Sequence, residues 1–317
     1  MESLIIVMIC LPFVSALLLA LFKNNTARQI ITYASCAGII GLAVTFAAKY
    51  FTAGSTQLSF FTETKAVDYA MIGIESFLVV LITVLSIKYK QYYAALLSIV
   101  QTALMFWYEL GGKEPHQQIS KIFVDQLTVI MVLIVAVIGS LITVYACGYM
   151  KDYHEHHKEF KDRRRYFFSL LYVFLGAMFG LVLSNSLIWM YFFWEITSVV
   201  SFLLIGYTRT AEAIHNCFRA LWMNLLGGCG FAVGIVIAGI QFNVTDMQSL
   251  ILCDGKLIVV PAILLSFAAL TKSAQMPFSK WLLGAMVAPT PSSALLHSAT
   301  MVKAGVYLLL RLSPILG

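Results

Sequence analysis

Thr271-Lys272-Ser273-Ala274-Gln275-Met276-Pro277 is followed by Ala288-Pro289-Thr290-Pro291, and then by an apolar run over 295–310 that carries His297 and Lys303. The stretch places a lysine near the end of one apolar helix and a proline five residues later. A double-proline turn comes next, then a second apolar helix with a histidine and another lysine. Ionisable groups inside a membrane span are costly and usually mark an ion or proton path. A proline-broken helix at membrane depth is tolerated where its freed carbonyls meet protein or water. The stretch therefore reads as proton or cation conduction around one broken helix, with Pro277, Pro289 and Pro291 making the break.

Composition extends this reading to the whole chain. Hydrophobic residues make up 60% of the 317, charged residues 11%, and the mean hydropathy is +0.87. A soluble domain carries about 25% charged residues, so the fold class is all-α, a polytopic transmembrane helix bundle. Met1-Glu2-Ser3 lacks the basic start of a secretory signal and no small-residue cleavage site follows, so 4–22 reads as a retained span. The six cysteines are scattered without C-x-x-C spacing, which argues against a disulfide framework or an iron–sulfur site. Gly227-Gly228-Cys229-Gly230 sits inside an apolar run and lacks the strand and spacing of a nucleotide-binding loop. No cofactor, metal or catalytic redox residue is expected. The net charge of +6 needs no nucleic-acid partner, because the basic residues lie mainly between spans.

A span needs roughly 20 apolar residues. Ten segments qualify: 4–22, 30–48, 69–87, 92–108, 126–147, 167–184, 187–207, 216–240, 257–286 with its break at Pro277, and 293–315. Counting basic residues in alternate loops gives twelve on one side and five on the other. The positive-inside rule then places the N-terminus outside a multi-pass cell (plasma or inner) membrane. Three regions follow: N-terminal spans over 1–66, an inserted helical hairpin over 67–122, and a transporter core over 123–317.

Glu195 closes the run Trp189-Met190-Tyr191-Phe192-Phe193-Trp194-Glu195, about nine residues into a span. A charged carboxylate there needs a cation, and Lys272 is the natural candidate. Burial disfavours a lysine's charge while a neighbouring carboxylate favours it, so a pair that approaches and separates can load and release one proton. The plainer alternative is a static buried ion pair that fixes helix packing. His297 and Lys303 are six residues apart, about 600° of helical rotation and roughly 9 Å of rise. They do not share a face, but can be successive stations with Ser298 and Thr300 as hydroxyl relays. The alternative for His297 is a histidine bonded to backbone within a helix interface. Lys280, just past Pro277, either snorkels to the interface or faces water. The run from Asp152 to Glu159 holds three histidines, yet a solvated basic loop explains it better than a metal site. Trp189, Trp194, Tyr149 and Tyr307 read as interfacial anchors or packing.

Four motifs together resemble the antiporter-like subunits of respiratory complex I, of multisubunit sodium/proton antiporters and of group 4 energy-converting hydrogenases. They are Asp125-Gln126-Leu127 opening a span that ends Tyr145-Ala146-Cys147-Gly148-Tyr149-Met150; Trp194-Glu195; Lys272-Ser273-Ala274-Gln275-Met276-Pro277; and Ala288-Pro289-Thr290-Pro291 running through His297 to Val302. The resemblance covers 123 to the C-terminus, more weakly the first two spans. It implies a half-channel in which Glu195 and Lys272 form the modulated pair and His297 passes the proton on, with Lys303 as a further station. Trp281-Leu282-Leu283-Gly284 together with Met301-Val302-Lys303-Ala304-Gly305 is closer to the hydrogenase branch, although Lys303 also suits the antiporter branch. The family joins two inverted five-helix repeats; this sequence contains the first, which implies either a truncated or split subunit or one that works with a separate chain supplying the second. Other membrane subunits, a peripheral redox arm and the lipid bilayer are the implied partners. Glu75, with Glu109 further on, resembles the small glutamate-bearing subunit of these complexes, but a peripheral hairpin against a neighbouring subunit is the preferred reading of 67–122. The rival functions are a component of a sodium/proton antiporter and a truncated or structural subunit without transport of its own.

Overall fold

The computed structural model describes residues 2–51, 56–58, 65–111, 120–253 and 255–316; Lys113, counted in the charge balance, lies outside them. Helices α1 (Glu2–Leu21) and α2 (Asn25–Tyr50) lead through strand β1 (Thr56–Leu58) to the hairpin of α3 (Lys65–Lys88) and α4 (Tyr92–Leu110). Strand β2 (Ile122–Val124) pairs antiparallel with β1, Gln57 opposite Phe123. One long helix follows, α5 (Gln126–Ile134) and α6 (Ser140–His156) joined through a π-helical turn at Val135–Gly139. Then come α7 (Arg164–Leu183), α8 (Leu187–Ile205), α9 (Ala211–Phe242), the short α10 (Met247–Leu252), α11 (Val259–Lys272), α12 (Lys280–Gly284) and α13 (Thr290–Ala294). A second π-helical turn at Leu295–Ala299 leads into α14 (Met301–Leu316).

Among the described residues nine helices are long and apolar enough to cross a membrane. The tenth expected span is α11, whose 14 residues reach only about 21 Å. The helices start where short polar side chains satisfy otherwise orphaned amides. Asp125 accepts from the Thr128 amide at 2.9 Å, and Thr210 from the Ala213 amide at 3.1 Å. Helix α9 stops at Asn243, in the left-handed region at φ 56°, where asparagine is tolerated better than most side chains.

Helices α7 and α8 are buried along most of their length and form the centre. Helix α7 packs on α1 and α8, α9 on α8 and α11, and α11 on α14. Helix α4 lies against α9, and α3 touches α8. The outward faces keep large apolar side chains such as Leu17, Val80 and Leu141 exposed, as lipid-facing helices do. On the side where α7 ends, Asn185 ties three segments together. Its amide group donates to the Ser120 carbonyl at 2.9 Å, its backbone N–H donates to the Lys121 carbonyl, and its own carbonyl accepts from the Met247 amide.

Candidate functional site

Helix α11 ends at Lys272, five residues before the proline at which the sequence places the break. The last turn closes as a Schellman motif: the Gln275 amide donates to the Leu270 carbonyl and the Ala274 amide to the Thr271 carbonyl. Ala274 takes the left-handed position, φ 54°, that glycine usually fills. The Trp281 indole N–H reaches back to the Thr271 carbonyl at 2.9 Å, so protein groups occupy the carbonyls that the break would otherwise leave bare. Pro277 lies in the connecting segment, Pro289 caps α13, and Pro291 sits in its first turn.

The lysine is fully buried. Its Nζ donates to the Trp194 carbonyl at 2.9 Å and to Ser198 Oγ at 2.7 Å, and lies 4.8 Å from the Trp194 ring centroid. Both oxygens belong to one turn of α8, and the last turn of α11 is where helix carbonyls favour a cation. Glu195 stands on that same turn of α8, also buried. Its Oε2 accepts from Gln101 Nε2 of α4 at 2.7 Å, while Oε1 is buried without a hydrogen-bond partner. Gly228 of α9 makes the meeting of α4, α8 and α9 here sterically feasible. A Cβ on it would fall 2.7 Å from Glu195 Oε1 and 2.6 Å from Gln101 Oε1.

Glu195 and Lys272 therefore flank one helical turn without forming an ion pair, although each feels the other's charge. The ammonium has three donors and two are engaged; the carboxylate has one oxygen to spare. Such incompletely satisfied buried groups cost free energy, and ionisable residues within a membrane span are candidate functional groups.

The remaining candidates fall in different places. His297 is half-buried in the second π-helical turn, and its Nε2 is buried without a hydrogen-bond partner. Single π-helical turns are common at functional sites. No hydrogen bond joins His297 to Lys272. Thr300 Oγ1 and Ser298 Oγ donate to their own helix, to the Leu295 and Ala294 carbonyls. Lys303 and Lys280 are exposed; Lys303 thus points out of the bundle rather than into a line with His297. Glu75 is buried on α3 within electrostatic reach of Glu109 and Glu195. The hairpin expected to be peripheral does expose an outer face, but through Gln101 it also supplies the glutamate's hydrogen-bond donor. Trp194 and Tyr307 are buried rather than interfacial. His154 Nε2 lies 2.8 Å from the Tyr207 hydroxyl, and among the described residues no group of three metal-ligating side chains forms.

Sequence reasoning missed Gln101, Ser198 and a second polar centre. Arg311 of α14 grips Asp125 with both terminal nitrogens, Nη2 to Oδ1 at 2.7 Å, and also reaches Thr128 and the Tyr307 hydroxyl. Burial works to raise the Asp125 carboxyl, but the Arg311 hydrogen bonds, the Thr128 amide and the arginine's charge outweigh it and hold the group below its ordinary value of 3.8. A charge inside the last span was the available signal for Arg311. A glutamine among apolar residues gave none for Gln101.

These features define a membrane-embedded bundle built around a buried lysine at a broken helix and a buried glutamate beside it. The family model described as "NADH:quinone oxidoreductase/Mrp antiporter, TM" matches residues 184–317, and "NADH-Ubiquinone oxidoreductase (complex I), chain 5 N-terminus" matches 119–167. Na(+)/H(+) antiporter subunit A1 of Staphylococcus aureus is 39% identical over 200 residues, 61% of this chain and 24% of the relative. The Mrp complex from Dietzia sp. DQ12-45-1b contains a chain with TM-score 0.54 and 27% identity, covering 77% of this chain and 27% of that one. A chain of an archaeal membrane-bound sulfane sulfur reductase superposes with TM-score 0.58 over 96% of this chain and 52% of its own, at 15% identity, a likeness of fold alone. The chain belongs to the antiporter-like superfamily of complex I and Mrp membrane subunits. It spans about a quarter of the length of the curated relatives it matches.

Proposed function

We propose that this chain is a proton-translocating subunit of a multisubunit membrane complex, with Glu195 and Lys272 as the exchanging pair and His297 as the next station. The observation that carries the reading is the fully buried Lys272 at the end of a broken helix, beside a glutamate with one unpartnered oxygen. Lowering the distance between them charges both; separating them lets the lysine give up its proton. Segment 123–317 acts as the conducting core, helix α4 of the inserted hairpin supports Glu195 through Gln101, and α1 packs on α7 while α2 packs on α5 and α6. Lys303, exposed on α14, serves as a contact to a neighbouring subunit or to the aqueous surface rather than as an internal station. The charge asymmetry of the loops supports an N-terminus outside the cell membrane.

Two settings suit such a subunit. The 39% identity to a sodium/proton antiporter subunit favours exchange of protons for sodium over a redox-driven complex of hydrogenase or complex I type with a peripheral arm. Membranes carrying the assembled complex decide between them. Sodium-stimulated collapse of an imposed pH gradient, with no electron donor, is expected. Proton movement that requires an electron donor and ignores sodium would favour the redox setting. Full flux in a Glu195→Gln complex would overturn the site itself.

A further inference from the structure

A cavity of about 600 Å³ opens between the end of α1, the start of α2, the loop into α7 and the turn after α8. This is the face of the bundle that carries the excess of basic loops, opposite the Asn185 junction. Seven basic side chains line it against the one carboxylate of Asp162. Asp162 is already committed to Arg164, 2.6 Å from its Nη2. Burial works to raise its carboxyl, but the arginine's hydrogen bonds and charge bring it to about 2, so it stays ionised and occupied.

The deepest cation is Arg28. It is buried, donates to Asn25 Oδ1 at 2.7 Å, and lies 5.3 Å from the Phe168 ring centroid; among the described residues it forms no ion pair with a carboxylate. Buried cations want a counter-charge. Arg163 spends Nη1 on the Tyr207 carbonyl, while Lys23, Lys161 and Arg165 stand exposed around the rim. The first turns of α2 and of the 20-residue α7 also open here, adding the positive ends of two helix dipoles. Directly beside Ala20 of the cavity wall, α1 exposes Leu17 and Leu21, and Phe22 just past its end is exposed as well.

A concentrated positive cavity continuous with an apolar helix face is the shape of an amphiphilic anion. We propose that it seats the phosphate headgroup of an anionic phospholipid from the basic side of the membrane, with the acyl chains lying along α1. Basic pockets between transmembrane helices on this side suit such headgroups. The charge surplus favours a lipid with two phosphates over one with a single phosphate.

The test uses the chain purified from membranes in mild detergent, stripped of lipid and titrated with diphosphatidylglycerol, phosphatidylglycerol, phosphatidylcholine or inorganic phosphate. Bound lipid is read by native mass spectrometry and by thermal stability. Diphosphatidylglycerol is expected to bind most tightly and phosphatidylcholine not to compete. The variant K23Q/K161Q/R165Q removes three exposed charges and should unfold at the lipid-free wild-type temperature. Each charge near an anionic surface changes affinity about fivefold, so the three together should weaken lipid binding on the order of 100-fold. Equal binding of phosphatidylcholine, unchanged lipid affinity in the variant, or stabilisation by millimolar phosphate equal to that by lipid would each overturn the proposal. The last result would assign the cavity to a soluble anion. Neither the assay nor the variant touches Glu195 or Lys272, so it stands or falls independently of transport.

Discussion

Replacing Lys272 by methionine separates a working proton carrier from a structural ion pair. Methionine fills a similar volume and removes the titratable group. In the structure the ammonium contributes two hydrogen bonds, to the Trp194 carbonyl and Ser198 Oγ, and a contact with the Trp194 ring. Hydrogen bonds to a charged group are worth about 1.5–3 kcal/mol each. Against them stands the desolvation of a fully buried ammonium, several kcal/mol. The acceptors left behind are not orphaned. The Trp194 carbonyl still receives the Thr197 and Ser198 hydroxyls, at 2.8 and 3.0 Å. The terms nearly cancel, so Lys272→Met should change stability by less than about 2 kcal/mol. Transport should nevertheless fall at least on the order of 100-fold, about 2.7 kcal/mol in barrier. The assay pairs thermal unfolding of the purified complex with dye-reported proton flux in proteoliposomes. Glu195→Gln combined with Lys272→Met should transport no worse than either alone, because residues that act as a unit are not additive. Flux within about threefold of wild type in an assembled Lys272→Met complex would refute the carrier reading. So would a destabilisation of about 3–5 kcal/mol, the signature of a broken structural pair, relieved in the double variant along with restored transport.

Gln101→Leu removes the hydrogen-bond donor to Glu195 while keeping volume, and should slow proton flux about tenfold with little loss of assembly, since a bond to a charged group is worth about 1.5–3 kcal/mol; wild-type flux would mean that the hairpin plays no part in the site. Gly227→Ala would place a Cβ 3.3 Å from Ala268 Cα and against Thr271 Oγ1, wedging α9 from α11, so a loss of about 1–3 kcal/mol is expected; Thr271→Ala should recover part of it, and unchanged thermal stability in the single variant would contradict the close packing. Asp125→Asn breaks the grip on Arg311 and, because Asp125 remains partly exposed, should cost about 2–4 kcal/mol in denaturant titration. The wild-type pH dependence has a definite sign. A carboxyl lowered in the folded state contributes fully above its ordinary value of 3.8 and loses that contribution as the pH falls through the lower folded value. The difference in stability between wild type and Asp125→Asn should thus be constant at neutral pH and shrink only in strong acid.

Ten apolar segments, their order and the break near Lys272 were all legible in the chain, because each depends on local quantities: hydropathy over about 20 residues, proline's missing donor, and the cost of charge in hydrocarbon. Glu195 and Lys272 stood out for the same reason, as ionisable residues where apolar ones belong. Only the tertiary structure set their relation. It put the lysine's bonds on Trp194 and Ser198 instead of on Glu195, and drew the glutamate's partner, Gln101, from a hairpin 94 residues away in sequence. It also joined Asp125 to Arg311 across 186 residues and turned Lys303 outward. None of these follows from periodicity, since which polar groups meet depends on how helix faces rotate and pack. That packing is fixed by contacts such as Gly228 against Glu195, which no local pattern records. The helix end shows the same division at short range. Pro277 marked the region, but a Schellman turn through Ala274, stabilised by an indole ten residues from the carbonyl it caps, decided that α11 stops at the lysine itself.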